Sequence, residues 1–325
     1  MISHPKPQPF LIVLILLLVV LFVPSSVAAQ DGGDPPSPTT PVNFYGANFI
    51  APFEPWTSLA DEMGASVVRW QFNWRDHEPS QGQWNWTLTD KIIPAWRDGG
   101  IRIHALLHNP PDWAKVNPPD GLQPRNLDLP WNDPNNHWAR YCYEFANRYK
   151  GQIDSYEIWN EPDLKQYFEG NAQEYYNLMR ACYQAIKAVD PDTPVVMAGM
   201  AVLVDRQFMQ DVIRLAAEDP QGPAYNYFFD AANIHMYADP DLVWTLAQWT
   251  RGVLAENGLG DKPIWITEAN AALLGYGDAP DTADWYFANE QEQAWYILQA
   301  IANAHAARAE RFMVFRFADD DMNLS

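Results

Sequence analysis

Glu161 and Glu268 are the residues of this sequence best placed to do chemistry. Each stands where a short apolar run ends: Ile153 to Trp159 ahead of Asn160-Glu161-Pro162, and Pro263 to Thr267 ahead of Glu268. Runs of that length and composition read as buried strands. A carboxylate at such a strand end loses hydration and must find partners. Two of them on separate strands suggest a pair that divides the work, one holding a proton to donate and the other staying ionised to attack.

Strands able to bring the two together recur along the chain. β-Branched or aromatic runs occur at 43–47, 66–70, 101–107, 153–159, 194–198, 231–236, 263–267 and 311–317. Longer amphipathic stretches lie between them, near 56–63, 87–98, 134–149, 171–189, 205–217, 240–257 and 284–308. Helix starts are marked by Thr87 and Asp90 before Lys91-Ile92-Ile93, and by Asp133-Pro134 before the stretch from Trp138 to Tyr149. Such an alternation implies parallel strands joined by right-handed crossovers, and eight is the number that closes a barrel. An open doubly wound sheet is the rival, but Asn43-Phe44-Tyr45-Gly46-Ala47-Asn48 is no Gly-rich phosphate turn. The expected fold is therefore α/β, a single-domain (β/α)8 TIM barrel over 42–318. Its final helix is missing, and 319–325 is an acidic tail or a truncated end. In such a barrel Glu161 follows strand four and Glu268 ends strand seven, so both reach the C-terminal rim.

The ends of the chain and its bulk properties narrow the partners. Lys6 and an apolar run from Phe10 to Val23 precede Val27-Ala28-Ala29. That run is shorter than the roughly 20 residues of a membrane span, so 1–29 reads as a secretory signal peptide, with an uncleaved N-terminal anchor as the alternative. Residues 30–41 read as a flexible linker. The net charge of −20 disfavours nucleic acid and anionic membranes. It suits a secreted protein with a neutral or cationic ligand and no stable membrane partner unless the signal is uncleaved. Cys142 and Cys182 fall in successive helices. A disulfide and two separate buried thiols are both open. No H-E-x-x-H, P-loop or G-x-S-x-G is present, and the run from Asp319 to Asn323 lacks the Gly and Glu of a calcium loop. No metal and no cofactor are expected.

Ile158-Trp159-Asn160-Glu161-Pro162 resembles the acid/base strand of the clan A glycoside hydrolases, the (β/α)8 group with catalytic glutamates after strands four and seven. Glu78-Pro79, Gly82, Trp84 and Trp86 resemble the turn after strand two in families 39 and 42. Asn109-Pro110-Pro111-Asp112-Trp113 resembles the loop after strand three, and His235-Met236-Tyr237 the strand-six H-x-Y. These segments keep their order over about 43–318, and relate the chain to families 39, 42 and 5.

The resemblance implies a retaining glycosidase acting on a β-linked oligosaccharide, polysaccharide or glycoside. Its two carboxyl groups would stand about 5–5.5 Å apart. It implies Glu161 as acid/base, Glu268 as nucleophile and Asn160 as the partner of the sugar 2-hydroxyl. It further implies Tyr237 and Arg69 as the groups that hold the nucleophile, His235 beside the acid/base and His108 as a substrate-binding histidine. Structural roles compete for each: a turn for Asn160, a core ion pair for Arg69, packing for His108, His235 and Tyr237. Among the fifteen tryptophans, loop residues Trp113 and then Trp131 are the candidates for a sugar-stacking floor. Strand eight departs from the family pattern, with Phe317 where a tryptophan is usual and Arg316 beside it. That departure keeps a non-catalytic sugar-binding barrel as the alternative.

Overall fold

A computed structural model describes residues 44–273 and 287–318. The signal, linker and acidic-end segments read from sequence lie outside the described residues. Eight strands form the core: β1 (Tyr45–Asn48), β2 (Val67–Asn73), β3 (Arg102–His108), β4 (Ser155–Asn160), β5 (Val195–Gly199), β6 (Ala232–Met236), β7 (Ile264–Ala269) and β8 (Arg311–Val314). Every pairing is parallel, from β5 through β4, β3, β2, β1, β8 and β7 to β6. Bridges Val196–Ala231 and Met200–Ile234 bring β5 back onto β6, so the sheet closes as a (β/α)8 barrel.

A helix follows each of the first seven strands: α1 (Trp56–Glu62), α3 (Thr89–Asp98), α4 (His137–Arg148), α5 (Ala172–Val189), α6 (Arg206–Glu218), α7 (Asp241–Glu256) and α8 (Glu290–Ala306). A single turn, α2 (Trp74–His77), is added after β2. Helices α4, α5, α6 and α8 start where asparagine or aspartate takes up an orphan backbone N–H. Asn171 with Glu174, and Asn289 with Glu292, form reciprocal capping boxes on α5 and α8. Asn136 caps α4, which therefore begins at His137 and not at the expected Pro134, because Asp133 is spent on a turn with Asn135.

Two strand limits differ from the sequence reading for a physical reason. β2 runs on to Asn73, past the apolar segment, because Gln71 faces the barrel mouth and needs no apolar partner. β8 ends at Val314, short of Phe317, and Phe315 turns into the mouth.

Cys142 of α4 and Cys182 of α5 are joined in a disulfide, Cα atoms 5.4 Å apart. Both are fully buried, and the bond ties neighbouring helices of the outer layer. Among the described residues, no helix is long and apolar enough to cross a membrane.

Candidate active site

The barrel axis is polar. Arg69 on β2 is buried and uses all five guanidinium N–H donors. Nε and Nη2 donate to the two oxygens of Glu157 on β4, at 2.7 and 2.9 Å. Nη1 donates to Asn48 at 2.9 Å and to Glu268 at 2.5 Å, and Nη2 also donates to Asn160 at 2.8 Å. Burial works against the Arg69 charge, but Glu157 and Glu268 outweigh it and hold the guanidinium ionised. Burial likewise pushes Glu157 up, yet Arg69 and His104 more than offset this and keep its carboxyl well below the usual range.

A relay continues towards the other end of the barrel. Arg311 on β8 donates to Ser155 Oγ at 3.0 Å, and Ser155 lies 2.8 Å from His104 Nδ1. His104 Nε2 is 2.8 Å from Glu157. Burial lowers the His104 pKa to about 4, so the neutral imidazole takes a proton bond from Ser155 and gives one to Glu157.

At the C-terminal mouth the two glutamates meet. Glu161, Glu268 and His235 each present one polar atom within 4.8 Å of the others. Glu268 Oε1 faces Arg69, and Oε2 accepts from the Tyr237 hydroxyl. Burial, then the Glu268 charge, push the Tyr237 phenol far up, so it stays a donor. Glu161 Oε1 lies 2.9 Å from His235 Nδ1, while His235 Nε2 reaches Thr267 Oγ1 at 3.1 Å. Burial opposes a charge on His235, but Glu268 and the bond and charge of Glu161 raise its pKa net. The backbone bends to achieve this: Trp159 at φ 75° and Glu161 at φ 40° both adopt the left-handed region. Such conformations cost energy and are held by the surrounding packing.

Arg69, His108, Asn160, Glu161, His235, Tyr237 and Glu268, seven residues singled out from the sequence, line one cavity of 980 Å³. Arg69 plays both of its competing roles, as a core ion pair with Glu157 and as a clamp on Glu268. His108 packs edge-on against Trp159 at 4.3 Å, and neither of its buried ring nitrogens has a protein partner. Burial lowers its pKa to about 3, so its ring is neutral.

The eighth residue, Trp113, is placed elsewhere. Its indole N–H donates to Glu78 O at 3.1 Å, its ring packs on Trp74, and it lines a separate surface hollow with Arg75 and Asp76. Trp131 likewise borders another hollow with Leu127 and Arg180. The aromatic that β8 gives the cavity is Phe315, and Phe317 packs on Trp56 with ring centroids 6.1 Å apart. The strand-eight substitution expected at Phe317 is therefore corrected by two positions.

Three functional neighbours escaped the sequence reading. Glu157 sits inside the apolar run that marked β4, where a charged residue looks like noise until its partners are known. Gly199 lies under His235; a Cβ there would meet His235 Nε2 at 1.9 Å. Asp163 is buried two residues beyond Glu161, with Oδ1 accepting from Ala201 N–H at 3.2 Å and Oδ2 unpartnered. Burial, with the nearby Glu161 charge, pushes its carboxyl up to about 7. Glu161, His235 and Glu268 are also spaced so that a cation could bridge them. The donors already fixed on Glu268 by Arg69 and Tyr237 fit an acid/base pair better.

Comparison with known proteins bears on the family of the chain. A family model described as cellulase (glycosyl hydrolase family 5) matches residues 37–308. A β-xylosidase of Geobacillus stearothermophilus is 23% identical over 144 residues, 39% of this chain and 28% of that enzyme. A monomeric β-xylosidase from Caulobacter crescentus superposes with a TM-score of 0.62 at 15% identity, over 85% of this chain and 60% of its own. A glucosidase from Croceicoccus marinus gives 0.61 at 16%, over 84% and 60%. The chain thus spans about three fifths of these two structures and under a third of the curated β-xylosidase. With the family model matched over 37–308, which takes in seven of the eight barrel strands, the chain belongs to the cellulase family, glycosyl hydrolase family 5.

Proposed function

We infer that the enzyme cleaves β-linked glycans or glycosides with retention, by a double displacement between Glu268 and Glu161. The observation that carries this is the distance: oxygens of the two carboxylates approach within 4.8 Å. Retaining enzymes keep their carboxyl groups about 5–5.5 Å apart, and inverting ones about 6.5–9.5 Å to admit a water.

Glu268, its oxygens bonded by Arg69 and Tyr237, attacks the anomeric carbon as the bond to the leaving oxygen breaks. Glu161 gives that oxygen its proton, and the leaving group departs as a neutral alcohol. Glu161, now a carboxylate beside His235, takes a proton from water. The hydroxide so formed displaces Glu268 from the sugar, restoring both residues. Asn160 has its carbonyl fixed by Arg69, which orients its amide N–H groups for the sugar 2-hydroxyl. His108, with no protein partner on either nitrogen, is free to bond a further hydroxyl. The mechanism needs no cofactor, since two carboxyls supply the proton and the nucleophile.

The test is a panel of chromogenic β-xylosides, β-glucosides, β-galactosides and β-mannosides. At least one is turned over, Glu268→Gln abolishes that turnover, and azide partly restores Glu161→Ala. Full activity in both variants would refute the assignment. The enzyme is also inferred to be secreted, on the N-terminal apolar segment and the Cys142–Cys182 disulfide, which suits an oxidising compartment. N-terminal sequencing of protein from the culture medium tests this: a chain starting near Gln30 supports cleavage, and intact membrane-bound protein supports the anchor.

A further inference from the structure

The mouth of the barrel is chemically lopsided. Strands β2 and β3 and the loop after β3 give the cavity Gln71, His108 and Asn109, all able to bond hydroxyls, with Leu122 beside them. The loops after β5 and β6 give it Ala201, Leu203 and Val204, then Ala238 and Leu242. Leu164, three residues beyond Glu161, joins the same wall. This wall is aliphatic and branched. Gln166, Tyr167 and Tyr237 line the cavity beside it, and the aliphatic side chains themselves offer a hydroxyl no hydrogen bond. Leu203 is 42% exposed and Val204 71%, an exposure that costs free energy in a protein with nothing bound.

The wall also stands on a particular side of the reaction. Glu161 N–H donates to Gly199 O at the end of β5, at 3.0 Å, and its carboxylate meets His235 of β6 at 2.9 Å. The acid therefore faces the β5–β6 rim. Whatever Glu161 protonates leaves from that side, so the aliphatic wall borders the leaving group and the polar rim borders the sugar. A cavity of 980 Å³ is at the upper end of what encloses a small molecule of drug size.

We propose that the natural substrates are glycosides whose leaving group is an apolar alcohol of alkyl, terpenoid or steroid character. The β5 and β6 loops form the site for that aglycone. The proposal rests on the retaining-glycosidase reading and narrows it: the sugar is read by the β2–β4 side, and the aglycone is selected by Leu164, Leu203, Val204 and Leu242.

Alkyl glycosides test it cleanly, because methanol and octanol differ little as leaving groups. Methyl and octyl β-D-xyloside and β-D-glucoside are compared, each below its micelle concentration, with xylobiose and cellobiose alongside. Each buried methylene is worth about fourfold. Burial of four of the seven added methylenes therefore predicts a rise in kcat/KM of about 200-fold from methyl to octyl. The double variant Leu203→Asn, Val204→Asn should collapse that octyl-to-methyl ratio by at least tenfold, with its Tm reporting that the loop change leaves the barrel folded. An octyl-to-methyl ratio near one, or a disaccharide cleaved faster than the octyl glycoside, overturns the proposal while leaving the glycosidase reading intact. If no glycoside of the chromogenic panel is cleaved, that reading fails separately. The same octyl and methyl glycosides are then titrated calorimetrically. Octyl binding about 100-fold tighter than methyl supports an apolar site, and equal binding removes it.

Discussion

Glu157→Gln separates the charge on Glu157 from its shape. Glu157 accepts four hydrogen bonds: Arg69 Nη2 and Gly199 N on Oε1, at 2.9 and 3.0 Å, and Arg69 Nε and His104 Nε2 on Oε2, at 2.7 and 2.8 Å. A glutamine has one oxygen, so either orientation aims its NH2 at an Arg69 N–H. The neutral His104 can change tautomer, but Arg69 cannot. Breaking a buried ion pair on one side costs about 3–5 kcal/mol. At about 2–4 °C per kcal/mol for a domain of this scale, Tm should fall by about 10 °C. The functional effect has a definite sign. Arg69 loses one of its two carboxylates, so its charge bears more fully on Glu268. The nucleophile becomes harder to protonate and less reactive. The acid limb of kcat/KM against pH should move down by about one unit, and kcat should fall about 10–100-fold, measured well below the new Tm. An unchanged Tm with an unmoved acid limb would show that Glu157 neither supports the barrel nor tunes Glu268.

Other perturbations probe the same framework. Arg69→Lys replaces five fixed donors by three mobile ones and should cut kcat/KM by at least about 1000-fold, checked on the best chromogenic substrate; activity within tenfold of native would mean the clamp on Glu268 is dispensable. Gly199→Ala drives a Cβ into His235 and should free Glu161 from it, lowering kcat about 100-fold and shifting the basic limb of the pH profile. Asp163 has a folded pKa above its unfolded one, so its contribution to stability is whole below about pH 4 and is lost as pH rises through about 7. Asp163→Asn should therefore gain stability over the native protein between pH 5 and 8, by up to about 4 kcal/mol in denaturant titrations; a constant difference across that range refutes the buried-carboxyl account. Cys142→Ser with Cys182→Ser opens a loop spanning a sequence separation of 40 and should cost about 4 kcal/mol, read as a lower urea midpoint.

The barrel was legible because parallel strands buried on both faces leave unbroken apolar runs, and eight of them stood out from the intervening helical stretches. The placement of Glu161 and Glu268 at the barrel mouth was legible for the same reason, since each interrupts the sequence where such a run stops. What stayed hidden depends on which way a side chain points. Glu157 is two residues before Trp159 in the same strand, and only its side-chain bonds to Arg69 of β2 and His104 of β3 inside the barrel turn it from an anomaly into the anchor of Arg69. Trp113 shows the reverse error. An aromatic in a loop above a barrel looks like a sugar platform, but Trp113 packs on Trp74 and lines a separate hollow. Phe315 and Phe317 differ by a single pleat, and no local pattern says which of them enters the mouth.

The charges at the centre of the site also say how a proton is kept there. Arg69 carries one positive charge between two carboxylates, Glu157 and Glu268, leaving a deficit of one. Glu161 adds a second negative charge if it ionises next to a neutral His235. Either a protonated Glu161 bonded to a neutral His235, or an ionised Glu161 paired with a protonated one, avoids that second charge. Both arrangements hold one proton across the 2.9 Å contact, and the Glu268 charge favours keeping it, which is why His235 is raised despite its burial. The sugar then develops positive charge in a site whose net charge is already negative, so the field stabilises the oxocarbenium-like transition state before any group moves. When Glu161 gives its proton to the leaving oxygen, the deficit grows to two for the ionised pair and is offset by the bond from Glu268 to the sugar, which removes one negative charge. The order of events thus keeps the site near one excess negative charge throughout, and His235 is the residue whose substitution by glutamine should expose this, by moving the basic limb of kcat/KM downward while the acid limb set by Arg69 and Glu268 stays in place.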